Sequence, residues 1–216
     1  MRSGRGTVGA SASVARRPSR KSLDTRPAPP LAGRMAATSS VPRLHTARLL
    51  LREWRESDLA PWAAMNADPE VRRHLGGPLT REESDASVAR FRAAFAARGY
   101  GWWAVEEQAG GAFLGFAGFD LVEEGSLPFH GVEVGWRLAR HAWGHGYATE
   151  AGRACLDFGF TTLGLTEILA LTTAANTRSR AVMERLGMVR DPADDYTDPT
   201  VPEGPLRAGV CYRIRA

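Results

Sequence analysis

Hydrophobic and polar positions along the chain predict alternating strands and helices. Apolar residues at every second position, or in short β-rich runs, predict seven strands, which cover residues 47–54, 101–107, 113–122, 132–138, 167–172, 189–191 and 209–214. Apolar residues at helical spacing predict four helices, which cover residues 57–65, 80–97, 147–161 and 176–187. This order predicts an α/β (α+β) fold, in which helices lie on both faces of a mixed sheet.

Capping residues mark the ends of two of these helices. Thr80 and Glu83 have the spacing of a capping box, and Gly99 follows the end of the same helix. Asn176 precedes the last helix, where its side-chain oxygen can accept a hydrogen bond from an unpaired amide of the first turn. We therefore expect Asn176 to be a helix N-cap.

Composition places the chain among single globular domains. It has 216 residues, of which 44% are hydrophobic and 24% charged. No apolar run reaches the roughly 18 residues of a membrane span, and no secretory signal is visible, so a cytoplasmic protein without a membrane partner is expected. The two cysteines, Cys155 and Cys211, lack zinc-ligand spacing, so no metal site is predicted.

The positive charge is concentrated in residues 1–40, which hold eight of the 28 basic residues and only one of the 24 acidic ones. This segment is rich in Ser, Arg and Pro, so we expect a disordered basic tail before a domain at 44–216. It could be a dispensable extension with Met35 as the natural start, an arm for RNA or an acidic partner, or a transit peptide. The remaining chain is mildly acidic, which disfavours nucleic-acid binding.

The segment WRLARHAWGHGYATE, residues 136–150, carries the strongest chemical signal. A predicted strand ends near Leu138, and Gly144 and Gly146 lead directly into the helix that begins at Tyr147. Free amides at such a helix start, with the positive end of the helix dipole, can hold a phosphate. The same spacing also occurs for packing reasons alone, and it is neither a P-loop nor a Rossmann motif.

This loop resembles the acetyl-CoA pyrophosphate loop of the GNAT N-acetyltransferases. Gly146 and Ala148 match the pattern Gln/Arg-x-x-Gly-x-Gly/Ala, whereas Trp143 replaces its first residue. The form WG-x-GYATEA resembles the RimJ/RimL-type branch, the ribosomal-protein-alanine acetyltransferases. Further matches follow in order from Thr46 to about Ile214, namely TARLLLR, GFAGF, EVGWRL, NTRSRAVMERLGM and PEGPLR-x5-YRI.

The resemblance implies a fold and a co-substrate. In this family a mostly antiparallel sheet of six to seven strands contains a central parallel pair, here residues 132–138 and 167–172, which splays apart to hold acetyl-CoA. An amide near residues 135–138 would polarise the thioester carbonyl. The implied acetyl-CoA-binding residues are Trp136, Leu138, Trp143, Gly144, His145, Gly146, Tyr147, Ala148 and Asn176.

Two side chains are candidates for catalysis. Glu133 lies in an apolar strand, on the face opposite Val132 and Val134, where burial would make it a base; it could equally be solvated or paired with an arginine. Ser179 could protonate the CoA thiolate or simply be a small residue in a helical turn. The family's tyrosine acid is replaced by Met183, a core position by its spacing.

The resemblance implies acetyl transfer from acetyl-CoA to a primary amine. A protein N-terminal α-amine is the acceptor favoured by the resemblance to the RimJ/RimL type, and it needs only a weak base, since a tenth or so of such amines is neutral at pH 7. One alternative is an acetyltransferase whose acceptor is a small-molecule amine. A second alternative is a non-catalytic module that binds acyl-CoA. A homodimer is left open.

Overall fold

The computed structural model describes residues 41–125, 127–198 and 201–216. The predicted tail at 1–40 lies outside the described residues. The described part contains nine strands and five α-helices, which follow one another as β1 (Leu44–His45), β2 (Leu49–Arg52), α1 (Leu59–Ala67), α2 (Pro69–Arg72), α3 (Arg81–Arg98), β3 (Trp102–Glu107), β4 (Phe113–Val122), β5 (Gly131–Leu138), α4 (Tyr147–Thr161), β6 (Glu167–Thr173), α5 (Thr177–Arg185), β7 (Val189–Arg190), β8 (Tyr196–Thr197) and β9 (Ala208–Arg215).

All seven predicted strands and all four predicted helices are present. The capping box of Thr80 and Glu83 starts α3, and Gly99 ends it in a left-handed conformation, as predicted. The structure adds β1, β8 and α2, which have two to four residues each and are too short to show a period. The sheet therefore has nine strands rather than six or seven.

The sheet has the order β1-β2-β3-β4-β5-β6-β9-β7, with β8 paired to β9. The described strand pairs are antiparallel except β5 with β6, which are parallel and pair at one position, Glu133 opposite Leu169. Beyond that position the two strands separate, while β4 follows β5 over its whole length. The predicted splay in the centre of a mostly antiparallel sheet is confirmed.

Helices cover both faces of the sheet, as predicted. Trp103 and Val105 of β3 pack in the same core as Cys155 of α4. Ala104, between them, points to the other face and packs with Trp62 of α1. Among the described residues, no helix combines the length and the apolarity that a bilayer span requires.

A buried ion pair fixes the chain between β2 and α1. Arg52 donates two hydrogen bonds to the carboxylate of Asp58, at 2.6 and 2.8 Å, and a third from Nε to Glu106 at 2.7 Å. Both Arg52 and Asp58 are almost completely buried. Removing one partner from such a pair leaves an uncompensated buried charge, which is unfavourable. The pair therefore holds the end of β2 next to the start of α1.

Candidate functional site

The loop before α4 presents unpaired amides to solvent. Gly144 and Gly146 have φ angles of 83° and 80°, in the left-handed region that favours glycine. The N–H groups of residues 144–148 donate no hydrogen bond to any described residue, and no side chain caps the helix start. Residues 144–146 are exposed. The loop therefore has the free donors and the dipole end that an anion requires.

Trp143 fixes this loop to its surroundings. Its indole Nε1 donates to the carbonyl oxygen of Leu138 at 2.8 Å, which ties the loop to the end of β5. The guanidinium of Arg178, in the first turn of α5, lies 4.5 Å from the centre of the Trp143 ring. The tryptophan that departs from the family pattern thus positions the loop through its side chain.

The first turn of α4 is held by the segment before β2. Glu150 accepts hydrogen bonds from Thr46 Oγ1 at 2.6 Å and from the backbone N–H of Arg48 at 2.9 Å, and its carboxylate pairs with the Arg48 guanidinium. Partial burial raises the pKa of Glu150, but these hydrogen bonds outweigh it and lower the pKa below its ordinary value. Glu150 therefore anchors the helix whose N-terminus forms the loop.

The side chains of Tyr147 and His145 lie against each other beside the loop. Their rings stack with 5.5 Å between centroids, and the Tyr147 hydroxyl donates to Glu107 at 2.7 Å.

The gap between β5 and β6 exposes main-chain groups of β5. The N–H of Ala139 donates to the Leu114 carbonyl of β4, and main-chain groups alternate in direction along an antiparallel pair. The N–H groups of Trp136 and Leu138 therefore point toward the gap. Their side chains face the core under α4, where Trp136 lies against Gly152.

Glu133 lies where the gap opens, on the face opposite Val134, as predicted. It has no hydrogen bond or ion pair with any described residue, which excludes an arginine partner there. Burial raises the pKa of Glu133 to about 7, and the charge of Asp120, its neighbour across β4, raises it as well. A carboxylate with this pKa can accept a proton near neutral pH.

Asn176 caps α5, as predicted. Its Oδ1 accepts from the N–H of Ser179 at 3.2 Å, and its Nδ2 donates to Thr172 Oγ1 at 3.0 Å. The hydroxyl of Ser179 is partly buried and donates to no described residue. Met183 is 2% exposed and belongs to the core, as its spacing indicated.

Sequence reasoning missed Tyr196, in β8. Its ring covers Gly209, where a Cβ would collide with it, and packs edge-on against Phe129. Burial raises the pKa of Tyr196, and the negative charge of Glu133 raises it further. The hydroxyl of Tyr196 has no hydrogen bond to a described residue. A two-residue strand in a loop rich in Pro and Asp gives no periodic signal that could have placed this phenol near Glu133.

The loop, the gap and Glu133 form one continuous arrangement, and comparisons identify its family. Residues 48–189 match the model of the acetyltransferase (GNAT) domain. The chain is 32% identical over 149 residues to the uncharacterized protein YkkB of Bacillus subtilis, which covers 68% of this chain and 84% of YkkB. It is 31% identical over 184 residues to the FsC-acetyl coenzyme A-N(2)-transacetylase of Aspergillus fumigatus. This alignment covers 78% of this chain and 76% of the transacetylase.

Solved structures share the fold. The acetyltransferase of Agrobacterium tumefaciens superposes with a TM-score of 0.67 at 28% identity, over 85% of this chain and all of that one. RimL, a ribosomal L7/L12 α-N-protein acetyltransferase in complex with coenzyme A, gives a TM-score of 0.66 at 15% identity. The match covers 81% of this chain and 98% of the RimL chain. With a family match over most of the domain and a splayed strand pair beside a free-amide loop, the chain belongs to the GNAT acetyltransferases and is an N-acetyltransferase.

Proposed function

We propose that this enzyme transfers the acetyl group of acetyl-CoA to the N-terminal α-amine of a protein or peptide, in the cytoplasm. The observation that carries the proposal is the position of Glu133, an unpaired carboxylate at the point where β5 and β6 separate. An α-amine with a pKa of about 7.7 to 8.0 needs only a weak base. A carboxylate whose pKa is about 7 suits that requirement.

In the proposed reaction the amine nitrogen attacks the thioester carbonyl carbon, and the carbon–sulfur bond then breaks. The amine proton passes to Glu133, directly or through one water molecule. The main-chain N–H of Trp136 or Leu138 stabilises the oxygen of the tetrahedral intermediate. The CoA thiolate leaves and takes a proton from Ser179, from Tyr196 or from water.

The proposed acetyl-CoA site extends from the gap to the loop. The pantetheine arm pairs with the exposed edge of β5 and with Asn176, and the diphosphate binds the free amides before α4. Such unpaired main-chain groups cost free energy in the unliganded protein, so pairing them favours binding. The residues proposed for this site are Trp136, Leu138, Trp143, Gly144, His145, Gly146, Tyr147, Ala148 and Asn176.

The name of RimL supports a protein N-terminus as the acceptor, although its likeness to this chain concerns the fold alone. The name of the Aspergillus transacetylase, at 31% identity, favours the alternative of a small-molecule amine. Neither name bears on the second alternative, a non-catalytic module that binds acyl-CoA.

A thiol-release assay with acetyl-CoA decides between these functions. Peptides with a free α-amine, the same peptides with a blocked N-terminus, and small polyamines would be compared as acceptors. Thiol release that requires the free peptide α-amine supports the proposal. Release only with small amines supports the first alternative, and acetyl-CoA binding without release from any acceptor supports the non-catalytic module.

A further inference from the structure

A second group of polar side chains lies on the same face of β5 as Glu133, four residues further along the strand. The guanidinium of Arg137 lies over the rings of Trp62 and Phe116, 5.5 and 5.1 Å from their centres. Its Nη1 donates to Asn66 Oδ1 at 2.8 Å. No described carboxylate pairs with Arg137, and its remaining donors are reached by solvent, since Arg137 is only partly buried.

A second arginine adds positive charge at this position. Arg72 is 8% exposed, and it donates to the carbonyl oxygens of Gly77 and Leu75, both at 2.7 Å. Glu83 acts on Arg72 only at longer range, without an ion pair. Burial lowers the pKa of Arg137 to about 9, and the charge of Arg72 lowers it as well. Two guanidinium groups near each other thus have only neutral oxygens as hydrogen-bond partners.

Asn66, in α1, completes the group. Its side chain is fully buried, and its Nδ2 has no hydrogen-bond partner among the described residues. Asn66 is too deeply buried to contact a ligand itself, but its hydrogen bond to Nη1 fixes the position of the Arg137 guanidinium. The N–H donors of Arg137 that reach solvent engage no described carboxylate, which suits the binding of a planar carboxylate.

We propose that Arg137 binds a carboxylate of the acceptor, with Asn66 holding its guanidinium and Arg72 adding to the positive potential. This inference rests on the proposed function, because it places the reacting amine at Glu133. Four residues of strand separate the Cα atoms of Glu133 and Arg137 by about 13 Å. An extended peptide advances about 3.3 to 3.6 Å per residue. Hydrogen bonds of about 3 Å at each end reduce the span that the acceptor itself must cover to about 7 Å, or about two residues of extended chain. The acceptor is therefore a peptide N-terminus with an acidic second or third residue, and a simple α-amino acid is too short.

The test compares two tetrapeptide amides, Ala-Asp-Asp-Ala and Ala-Asn-Asn-Ala, as acceptors. The wild-type enzyme is expected to prefer the acidic peptide by about tenfold or more in kcat/KM, as for a hydrogen bond to a charged group. In Arg137→Gln this preference should disappear. Arg90→Gln removes the same charge from an exposed position on α3 and should keep the preference. Equal rates for both peptides in the wild-type enzyme would overturn the inference.

A second variant tests the missing negative charge without removing the arginine. Asn66→Asp turns the group that accepts from Arg137 Nη1 into a carboxylate, so it should neutralise the Arg137 charge and abolish the preference for the acidic peptide. A preference that persists in Asn66→Asp would contradict a carboxylate site on Arg137.

Binding separates this inference from the proposed function. Titration calorimetry would measure the affinity of N-acetylated Ala-Asp-Asp-Ala-amide for the CoA-saturated enzyme. If no peptide is acetylated, but this peptide binds the wild-type enzyme about tenfold more tightly than Arg137→Gln, the carboxylate site stands and the proposed function fails. Equal affinity in the two enzymes overturns the carboxylate site.

Discussion

At the scale of single residues, Glu133 makes the rate depend on pH in a defined direction. A base must be deprotonated to accept a proton, and the pKa of Glu133 is raised to about 7. We therefore expect kcat/KM to rise as the pH increases through about 7. Glu133→Gln should lower kcat by about 10²- to 10⁴-fold and leave acetyl-CoA affinity unchanged. Steady-state rates between pH 5.5 and 9, with calorimetric affinities, measure both effects.

The neighbour of Glu133 provides a control for this assignment. The charge of Asp120 contributes to the raised pKa of Glu133, so Asp120→Asn should move the rising limb of the pH profile to lower pH. Asp120 also pairs with Arg98 at 2.8 Å, a partly exposed contact whose loss has a small effect on stability. If the pH–rate profile of Asp120→Asn is the same as that of the wild-type enzyme, or if Glu133→Gln turns over normally, Glu133 has no part in the mechanism.

Single residues also show the limit of reading this sequence. Glu133 and Asn176 can be found because strand alternation and helix capping are local rules. The surroundings of Arg137 depend on Asn66, about 70 residues earlier, and no local pattern predicts which helix packs there. Tyr196 escapes prediction for the same reason, because its position depends on Gly209 beneath its ring.

At the scale of elements, the loop before α4 makes acetyl-CoA affinity sensitive to one glycine. Gly146 has a left-handed φ of 80°, which a β-branched residue adopts at a cost of about 1 to 2 kcal/mol or more. Gly146→Val should therefore distort the free amides and abolish acetyl-CoA binding, as measured by calorimetry.

A second left-handed glycine separates distortion of the loop from general destabilisation. Gly111, in the turn between β3 and β4, has a φ of 69°, and open space lies where its side chain would project. Gly111→Val should lower Tm and leave acetyl-CoA affinity unchanged. Unchanged affinity in Gly146→Val would show that the loop does not hold the diphosphate.

Elements were predictable from sequence where they are long and their ends are marked. Helix α4 begins and ends at the predicted residues, and α3 follows its capping box. The two-residue strands β1 and β8 form only because they pair with β2 and β9, a tertiary contact that no local period reports. The link from Glu150 to Thr46 and Arg48 is equally invisible in the sequence, because it joins positions about 100 residues apart.

At the scale of the whole molecule, acetyl-CoA should stabilise the fold by mass action. A ligand at 100 times its Kd adds about 2.7 kcal/mol to the free energy of unfolding. Calorimetric unfolding should therefore show a Tm that rises with acetyl-CoA concentration. Hydrogen exchange should slow at the amides of Trp136 and Leu138, whose N–H groups point toward the gap. A higher Tm without slower exchange there would place the co-substrate elsewhere.

The single position at which β5 meets β6 also divides the sheet by sequence. Strands β1 to β5 come from residues 44–138, and strands β6 to β9 come from residues 167–215. Within each part the neighbouring strands are paired along their lengths, whereas Glu133 and Leu169 alone connect the two among the described strand pairs. Buried side chains from both parts, such as Val134 and Ile168, nevertheless belong to one hydrophobic core. Across the gap the two parts are therefore held together by side-chain packing rather than by main-chain hydrogen bonds, so the cleft can stay open without breaking the core.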